Sequence, residues 1–470
     1  MRMLEAYVKK ILKARVYDIV KQVPLDKAIN LSMRTGNQIL LKREDLQPVF
    51  SFKIRGAYNK MAQLTEAERA AGVIAASAGN HAQGVAMSAS QLGIEALIVM
   101  PKTTPEIKVT AVKRLGGKVE LYGNSYDEAY EHARKLEQAG RTFIHPYDDP
   151  LVIAGQGTIG MEIMHQCPVT PEAIFIPVGG GGLISGVAAY VKYLYPEVKI
   201  IGVEPDDAAS MHDALIAQER VILEQVGIFA DGVAVKQVGE ETFRVARKCV
   251  DEVVLVNADE ICAAIKDIFD DTRTVTEPAG ALSVAGLKKY VQTNKLSDKT
   301  LVAIASGANM NFDRLRHVSE RAELGERREL LFSAKIDERA GSFLKFCKII
   351  GNRGITEFNY SYANAEFAHI FVGVKTGNAE AEKEDLFKLL DDKGYQVTDL
   401  SDNELAKLHL LHIVGGHAPG IQNEHLYRFE FPERPGALLR ILTRMGHNCN
   451  ISLIKYRNHR PALALVLIGI

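Results

Sequence analysis

Short apolar runs alternate with longer helical patterns from the start of the chain to about residue 320. This alternation predicts a mainly parallel sheet covered by helices on both faces, because helical crossovers connect parallel strands. In such sheets, ligands bind at the carboxyl ends of the strands. The predicted strands are 73–76, 96–100, 118–122, 174–177, 199–204, 252–256 and 301–305, and the predicted helices include 82–92, 105–115, 126–139 and 183–194.

Lys53 is the candidate nucleophile, within the segment Val49-Phe50-Ser51-Phe52-Lys53-Ile54-Arg55-Gly56-Ala57. An amine attacks a carbonyl only when it is unprotonated. Desolvation by the flanking phenylalanines and Ile54 would lower the pKa of Lys53, and the nearby cation Arg55 would lower it further. This pattern favours Schiff-base chemistry. The nine residues alone leave open a lysine at a strand end whose ammonium group stays in water.

The segment Ser77-Ala78-Gly79-Asn80-His81-Ala82-Gln83-Gly84 follows a predicted strand and opens a predicted helix. Backbone N–H groups and the helix dipole would converge there on an anion, and a substrate carboxylate fits this position. The outer glycines have the spacing of a nucleotide P-loop, but Val85 and Ala86 stand where Lys and Ser or Thr are required. A nucleotide is therefore excluded. The alternative is a plain strand-to-helix turn capped by Asn80.

Four consecutive glycines, Gly179 to Gly182, follow the predicted strand 174–177 and precede a predicted helix that begins at Leu183. A bare backbone at a helix N-terminus can wrap a phosphate. The G-x-G-x-x-G spacing of dinucleotide sites is not met, so a monophosphate is favoured over NAD. A turn that only permits tight helix–sheet packing is the alternative, although four glycines cost more chain entropy than such a turn requires.

Four motifs in this order resemble the threonine and serine dehydratases, which use pyridoxal phosphate. The motifs are Lys42-Arg43-Glu44-Asp45 with the Lys53 segment, Ser77 to Gly84, Pro177-Val178-Gly179-Gly180-Gly181-Gly182-Leu183, and Ser306-Gly307-Ala308-Asn309. The resemblance implies a fold-type-II α/β catalytic domain. It also implies conversion of L-threonine to 2-oxobutanoate and ammonia, the first step of isoleucine biosynthesis.

The same resemblance implies roles for individual residues. Lys53 would carry the cofactor and then remove the α-proton of the substrate. Phe52 would pack against the cofactor ring, and Ser306 would meet the pyridine nitrogen. The implied cofactor-binding residues are Lys53, Phe52, Asn80, Gly179, Gly180, Gly181, Gly182, Leu183 and Ser306, and the implied substrate-binding residues are Ser77, Ala78, Gly79, Asn80 and His81.

Three further stretches match the family: Gly155-Gln156-Gly157-Thr158 on the cofactor side, and Asp231 to Val235 and Glu277 to Ala281 around cofactor and substrate. The first would also make an ordinary helix start. Glu277 has two open readings, because an acid before Pro278 also suits a helix N-terminus.

Other activities stay open from the sequence. A serine racemase of this scaffold has a hydroxyl residue at the position of Ala78, and it carries an acid near the position of Ser210 that would help to bind a divalent metal. Neither is present, so elimination is expected to dominate and no metal site is predicted. A catabolic serine or threonine dehydratase remains an alternative. A non-catalytic amino-acid sensor would require a dead cofactor site.

The tail contains an internal repeat. Residues 336–344 recur about 95 residues later as residues 431–439, and Tyr360 recurs as Tyr456. Each copy predicts strand, helix, strand, strand, which resembles the ACT-like regulatory modules fused to biosynthetic threonine dehydratases, where amino-acid effectors such as isoleucine or valine bind. A further helix and strand follow the first copy but not the second, so we expect the second module to be partial and isoleucine inhibition to be weakened.

Composition supports this organisation. The chain has 470 residues and a formal net charge of −1, which predict two or three domains and argue against nucleic acid or an acidic membrane as partner. Five scattered cysteines without C-x-x-C spacing predict reduced thiols in the cytoplasm. No targeting segment or membrane span is apparent. We predict a catalytic domain at 1–324, regulatory modules at 325–415 and 416–470, and a homotetramer or dimer.

Overall fold

The first part of the chain contains two mainly parallel sheets in the computed structural model. The chain divides into the units Met1–Ala322 and Glu323–Ile470. The structure describes residues 2–312, 314–325, 329–337, 339, 341–351, 353–362, 367–375, 379–401, 426–432, 437–445, 453–457 and 463–469.

The larger sheet of the first unit has six strands: β1 (Leu25–Lys27), β2 (Gln38–Arg43), β7 (Ala173–Pro177), β8 (Lys199–Pro205), β9 (Glu252–Val256) and β10 (Thr300–Ala305). Their order is β1-β2-β10-β7-β8-β9, and only β1 and β2 pair antiparallel. Every residue of β7 is buried, as expected for a central parallel strand with helices on both faces.

The smaller sheet of the first unit has four parallel strands: β3 (Val73–Ala76), β4 (Ala96–Met100), β5 (Lys118–Leu121) and β6 (Thr142–Phe143). Their order is β5-β4-β3-β6, so β3 lies inside the sheet and is fully buried. The segment that follows β3 therefore begins at the carboxyl edge of this sheet, where ligands bind in parallel sheets.

Helices surround both sheets. They are α1 (Arg2–Leu12), α2 (Ile29–Thr35), α3 (Lys53–Met61), α4 (Glu66–Ala71), α5 (Asn80–Leu92), α6 (Glu106–Arg114), α7 (Tyr126–Gln138), α8 (Pro150–Gln166), α9 (Gly182–Leu194), α10 (Ser210–Ala217), α11 (Glu240–Cys249), α12 (Ala258–Thr272), α13 (Pro278–Asn294) and α14 (Arg314–Gly325), with 3₁₀ turns at Glu44–Leu46 and Asp231–Val233. α3 packs between α5 and α8, and α8 packs on α9. The α8–α9 approach depends on Gly186, where a Cβ atom would overlap the carbonyl oxygen of Ile153.

The seven predicted strands and four predicted helices are confirmed, with ends that differ by no more than two residues. Three strands were not predicted. β2 reads QILLKR and ends in Lys42 and Arg43, two charged residues that are buried here against the usual pattern. β1 and β6 have only three and two residues, too few for an apolar run to stand out.

The second unit contains the sequence repeat, and both copies fold as strand, helix, strand, strand. The first copy is β11 (Glu329–Asp337), α15 (Ser342–Ile350), β12 (Ile355–Tyr362) and β13 (Phe367–Lys375), followed by α16 (Ala379–Asp392) and β14 (Gln396–Asp399). The second copy is β15 (Leu426–Pro432), α17 (Ala437–Met445), β16 (Leu453–Arg457) and β17 (Leu463–Gly469). The predicted α+β repeat is therefore confirmed. The predicted boundary between the modules, at 415, lies outside the described residues.

The two copies share one antiparallel seven-stranded sheet with the order β14-β11-β13-β12-β16-β17-β15. The copies meet where β12 pairs with β16, with Phe358 opposite Tyr456. One apolar core contains buried residues of both copies, including Phe346 and Leu442. The repeat therefore forms one folded body rather than two separate cores. Within the part of the chain that the structure describes, no helix is long and apolar enough to cross a membrane.

Candidate active site

Lys53 begins α3 and is half-buried. Its Nζ atom donates a hydrogen bond to the carbonyl oxygen of Pro146 at 3.0 Å. Burial lowers the pKa of Lys53 to about 8, against an opposing effect of Glu277. A substantial fraction of this amine is therefore unprotonated near pH 8, as a nucleophile requires.

Burial lowers the pKa of Lys53 as expected, but two of the residues that were expected to lower it do not act that way. Phe50 is 57% exposed and contributes little burial. The guanidinium of Arg55 is not a free cation that acts on Lys53, because it forms ion pairs with Glu44 and Glu162 at 2.7 Å each. The ammonium group of Lys53 does not extend into water either, since it binds Pro146.

Arg55 belongs to a buried network of four charges beneath α3. Lys42 pairs with Glu162 at 2.6 Å, and Arg55 lies between Glu162 and Glu44. All four side chains are at most 1% exposed, and the two positive and two negative charges cancel. Arg55 also donates to the hydroxyl of Thr158 at 3.0 Å. The stretch 155–158 therefore lies inside α8 and supports α3, rather than forming a loop or a helix start.

The predicted carboxylate site lies at the N-terminus of α5, with Gly79 as the capping residue. No side chain caps this end, so its first backbone N–H groups are available to an anion. The hydroxyl of Ser77 accepts from the amide of Gly79 at 3.3 Å. His81 is buried, and burial holds its pKa down to about 3. The ring is therefore neutral. Its Nε2 lies 2.8 Å from the carbonyl oxygen of Ile144 and must carry the hydrogen, so this donor is already used.

Asn80, at the start of α5, connects this site to two distant segments. Its Nδ2 donates to Oε1 of Glu277 at 2.6 Å, and its Oδ1 accepts from Nδ2 of Asn309 at 2.5 Å. Glu277 precedes α13 but makes no side-chain hydrogen bond to the amides of that helix. Glu277 does stand at the N-cap position of that helix, before Pro278, so a helix N-terminal charge and a role beside the cofactor and substrate both stay open for it.

The four-glycine loop lies between β7 and α9, as predicted. Gly181 has φ of 93°, a left-handed conformation that favours glycine. A Cβ atom at Gly180 would overlap the ring of Tyr147, and one at Gly181 would lie 2.7 Å from Met211. The loop therefore cannot carry side chains, and its bare amides at the N-terminus of α9 suit a phosphate group.

We expect Gly180→Ala to destabilise the protein by about 1–3 kcal/mol, because the added methyl group overlaps the Tyr147 ring. In a Tyr147→Ala background the ring is gone, and the same substitution should cost less than about 0.5 kcal/mol. Thermal unfolding of the four proteins of this cycle measures the coupling. An equal cost in both backgrounds would show that the ring is not what excludes a side chain.

The structure brings the predicted residues together through contacts between their segments. The amide of Phe52 donates to the carbonyl of Ser306 at 3.2 Å, which holds the segment before Lys53 against the end of β10. The buried hydroxyl of Ser306 lies 3.3 Å from the carbonyl of Ala279. Pro146 contacts Lys53, and the next residue, Tyr147, lies against the glycine loop.

The loop from β6 to α8 was missed as part of the site. Besides Pro146 and Tyr147, it contains Asp148, whose carboxylate accepts from three backbone amides at the start of α11. His145 Nδ1 accepts from the amides of Tyr147 and Asp148, and burial holds the pKa of His145 down to about 4. The two-residue strand β6 was too short to predict from the sequence. The pair His145-Pro146 just after it could still have indicated a loop at the carboxyl edge of a parallel sheet, where ligands bind.

Glu204 is the next-to-last residue of β8 and is fully buried, which raises its pKa to about 8. It accepts from the amides of Met211 and His212, in the first turn of α10 that begins with Ser210. Among the described residues, no group of three or more His, Cys, Asp or Glu side chains is arranged to hold a metal ion.

Two family matches cover most of the chain. Residues 16–307 match the pyridoxal-phosphate dependent enzymes, and residues 320–410 and 415–470 match the C-terminal regulatory domain of threonine dehydratase. The first match spans the glycine loop and Lys53, and the two parts of the second match span the repeat.

Full-length relatives agree with these matches. The chain is 54% identical over 470 residues to L-threonine dehydratase biosynthetic IlvA of Burkholderia multivorans, covering 99% of this chain and 92% of that protein. It is 52% identical to the protein of the same name from Escherichia coli, covering 98% of this chain and 90% of that protein.

Solved structures show the same fold. The processed form of threonine deaminase isoform 2 from Solanum lycopersicum aligns with a TM-score of 0.68 and 52% identity, covering 69% of this chain and 89% of that chain. Maize serine racemase aligns with a TM-score of 0.62 and only 31% identity, covering 66% of this chain and 96% of that chain. The chain therefore belongs to the biosynthetic threonine dehydratases, pyridoxal-phosphate-dependent lyases with a C-terminal regulatory domain.

Proposed function

We propose that this enzyme converts L-threonine to 2-oxobutanoate and ammonia as the first step of isoleucine biosynthesis. The observation that carries the proposal is the half-buried amine of Lys53, with its pKa lowered to about 8, held by the loop that also contacts the four-glycine segment. An amine of this kind can bond to an aldehyde, and a bare glycine loop can hold a phosphate, so these residues fit pyridoxal phosphate.

When bound, pyridoxal phosphate supplies an electron-withdrawing ring that makes the α-proton of an amino acid acidic. The protein binds and orients. Gly179 to Gly182 and the amide of Leu183 would hold the phosphate, Phe52 would pack against the ring, and Ser306 would meet the pyridine nitrogen. A neutral hydroxyl group does not readily protonate that nitrogen. The ring is then a weaker electron sink, which favours elimination over reactions that need a stronger one.

The substrate carboxylate is oriented by the N-terminus of α5. No side chain caps the first turn of this helix, so its backbone amides can bind the carboxylate, and the helix dipole favours a negative charge there. Ser77 adds a hydroxyl, and Asn80 adds an amide. His81 contributes through its backbone, because its ring is neutral and its Nε2–H is used by Ile144.

Lys53 Nζ takes the α-proton of threonine. The β-hydroxyl group then leaves together with a proton, which releases one water molecule. Hydrolysis of the resulting enamine consumes one water molecule and releases ammonia, so the net products are 2-oxobutanoate and ammonia. Ala78 provides no hydroxyl on the opposite face, which disfavours racemisation.

A keto-acid assay with purified protein tests this proposal. L-Threonine should give 2-oxobutanoate and L-serine should give pyruvate, and the ratio of the two kcat/KM values sets the substrate preference. D-Serine formation from L-serine at a rate comparable to pyruvate would contradict the proposed reaction.

We further propose that isoleucine lowers the activity by binding the first copy of the repeat. That copy has the fuller set of elements among the described residues, β11 to β14 with α15 and α16. An effector changes activity only if it binds active and inactive states with different affinities. Isoleucine should therefore give a weakened, saturable inhibition, and valine is a second candidate effector.

The tail is also the proposed contact between subunits of a dimer or tetramer. β15 is the last strand of the seven-stranded sheet among the described residues, and its outer edge can pair with another chain. An isoleucine titration of activity and the mass of a chain shortened to residues 1–324 test both ideas. Strong sigmoidal inhibition without the first copy, or an unchanged mass without the tail, would contradict them.

We place the enzyme in the cytoplasm. Among the described residues, Cys167, Cys249, Cys262 and Cys347 are free thiols, which suits a reducing compartment.

A further inference from the structure

A chain of three side chains runs beside Lys53 and ends at a buried carboxylate. Asn309 Nδ2 donates to the backbone carbonyl of Val49 at 2.9 Å and to Oδ1 of Asn80 at 2.5 Å. Asn80 Nδ2 then donates to Oε1 of Glu277 at 2.6 Å. These residues come from four separate segments, and Val49 lies four positions before Lys53.

The chemistry at the two ends fixes the direction of every amide in this chain. A backbone carbonyl such as that of Val49 only accepts, so Asn309 must present its NH₂ group to it. The same NH₂ group reaches Asn80, which must therefore present its oxygen. The NH₂ group of Asn80 is then turned to Glu277, whose carboxylate accepts. The side-chain amide of Asn80 could otherwise exchange its oxygen and its NH₂ group by a half turn, and this network holds it in one orientation.

This arrangement leaves one N–H of Asn80 for a ligand. The NH₂ group has two hydrogens, and within the described residues only Glu277 accepts from it. Asn80 is half-buried, so the second hydrogen can reach a molecule in the site. Because Asn80 lies at the N-terminus of α5, this hydrogen adds to the backbone donors already directed at an anion.

We propose that Glu277 and Asn309 are positioning residues that hold the Asn80 amide as a donor to an anionic oxygen of the bound cofactor or substrate. The inference rests on the proposed function only in assuming that such an oxygen lies beside Asn80. It explains why a carboxylate that is 5% exposed binds an asparagine instead of the helix that follows it. Among the described residues Glu277 forms no ion pair, and the nearby cations Lys108 and Arg314 pair with Asp231 instead.

Four variants test the proposal. Glu277→Gln keeps an oxygen that can accept from Asn80, and Glu277→Leu removes it. Asn309→Ala removes one donor, and Asn309→Asp places an acceptor opposite the oxygen of Asn80, so that Asn80 must turn its oxygen toward the ligand. Asn294→Ala, which removes an asparagine bonded to Tyr290 at the far end of α13, is the control.

The measured quantities are the Kd of pyridoxal phosphate for the cofactor-free protein, the absorption maximum of the bound cofactor, and kcat and KM for threonine. We expect the Kd to rise by about tenfold or more in Glu277→Leu and Asn309→Asp, with a shifted absorption maximum, because a hydrogen bond to a charged group is lost. Glu277→Gln should stay within about threefold of the unmodified protein, and Asn309→Ala should fall between.

Equal weakening by Gln and Leu at position 277, or an unchanged Kd and spectrum in all four variants, would overturn the proposal. Asn309→Ala only removes atoms, and it keeps the test available if Asn309→Asp does not fold. Failure of the proposed function is a separate result. In that case the unmodified protein would bind the cofactor without forming 2-oxobutanoate, and the order of the cofactor Kd values would still test the positioning role.

Discussion

Replacing Lys53 with alanine should lower kcat for 2-oxobutanoate formation by about 10⁴-fold or more, while the protein still folds. The substitution removes both the proton acceptor and the amine that anchors the cofactor, and losses of groups that act together are large. The shorter side chain also removes a buried amine, so no new buried charge is created. A keto-acid assay and circular dichroism together measure the two parts of this prediction.

Lys113→Ala is the matched control, because Lys113 is an exposed lysine on α6 and should leave activity unchanged. Borohydride reduction gives an independent readout. It should fix the cofactor to the unmodified protein but not to Lys53→Ala. Fixation to the variant would show that a different lysine forms the covalent bond.

The second large effect is expected from Arg55→Ala, which should destabilise the catalytic unit by about 3–5 kcal/mol. The substitution leaves Glu44 without a cation and removes one of the two cations that pair with Glu162. These side chains are at most 1% exposed. An unpaired charge in such a place is far more costly than the pair was favourable. The midpoint of urea unfolding, followed for the catalytic unit, measures the effect.

Lys9→Ala provides the comparison for an exposed pair. Lys9 and Glu5 are 68% and 45% exposed, so removing that pair should leave the midpoint of urea unfolding nearly unchanged. Similar small effects at both positions would show that water reaches the buried network and screens its charges.

Local patterns predicted most of the fold. The strands of the first unit were recognisable because parallel strands read as continuous apolar runs, as in Ala173–Pro177. β2 was not recognisable because two of its residues are charged, and the partners that compensate them, such as Glu162, lie more than a hundred positions away. The tail repeat was recognisable because residues 336–344 recur in the sequence as residues 431–439.

The site was predictable only where its chemistry is local. Lys53 and the glycine loop each carry their signal within a few residues. The link between Asn80 and Glu277 spans 197 positions, and no spacing rule reveals such a pair. The wrong role for Arg55 has the same origin, because a cation near Lys53 in sequence is neutralised by acids that folding brings to it.

The pairing of β12 with β16 limits how this regulatory tail can change over evolution. The two copies pair with each other in the middle of one sheet, with Phe358 opposite Tyr456. Deleting the second copy would keep β12 paired with β13 but would expose the edge of β12 that now pairs with β16. One copy therefore cannot be lost without disturbing the sheet of the other. Such a loss requires a compensating strand, and a neighbouring subunit is the simplest source of one.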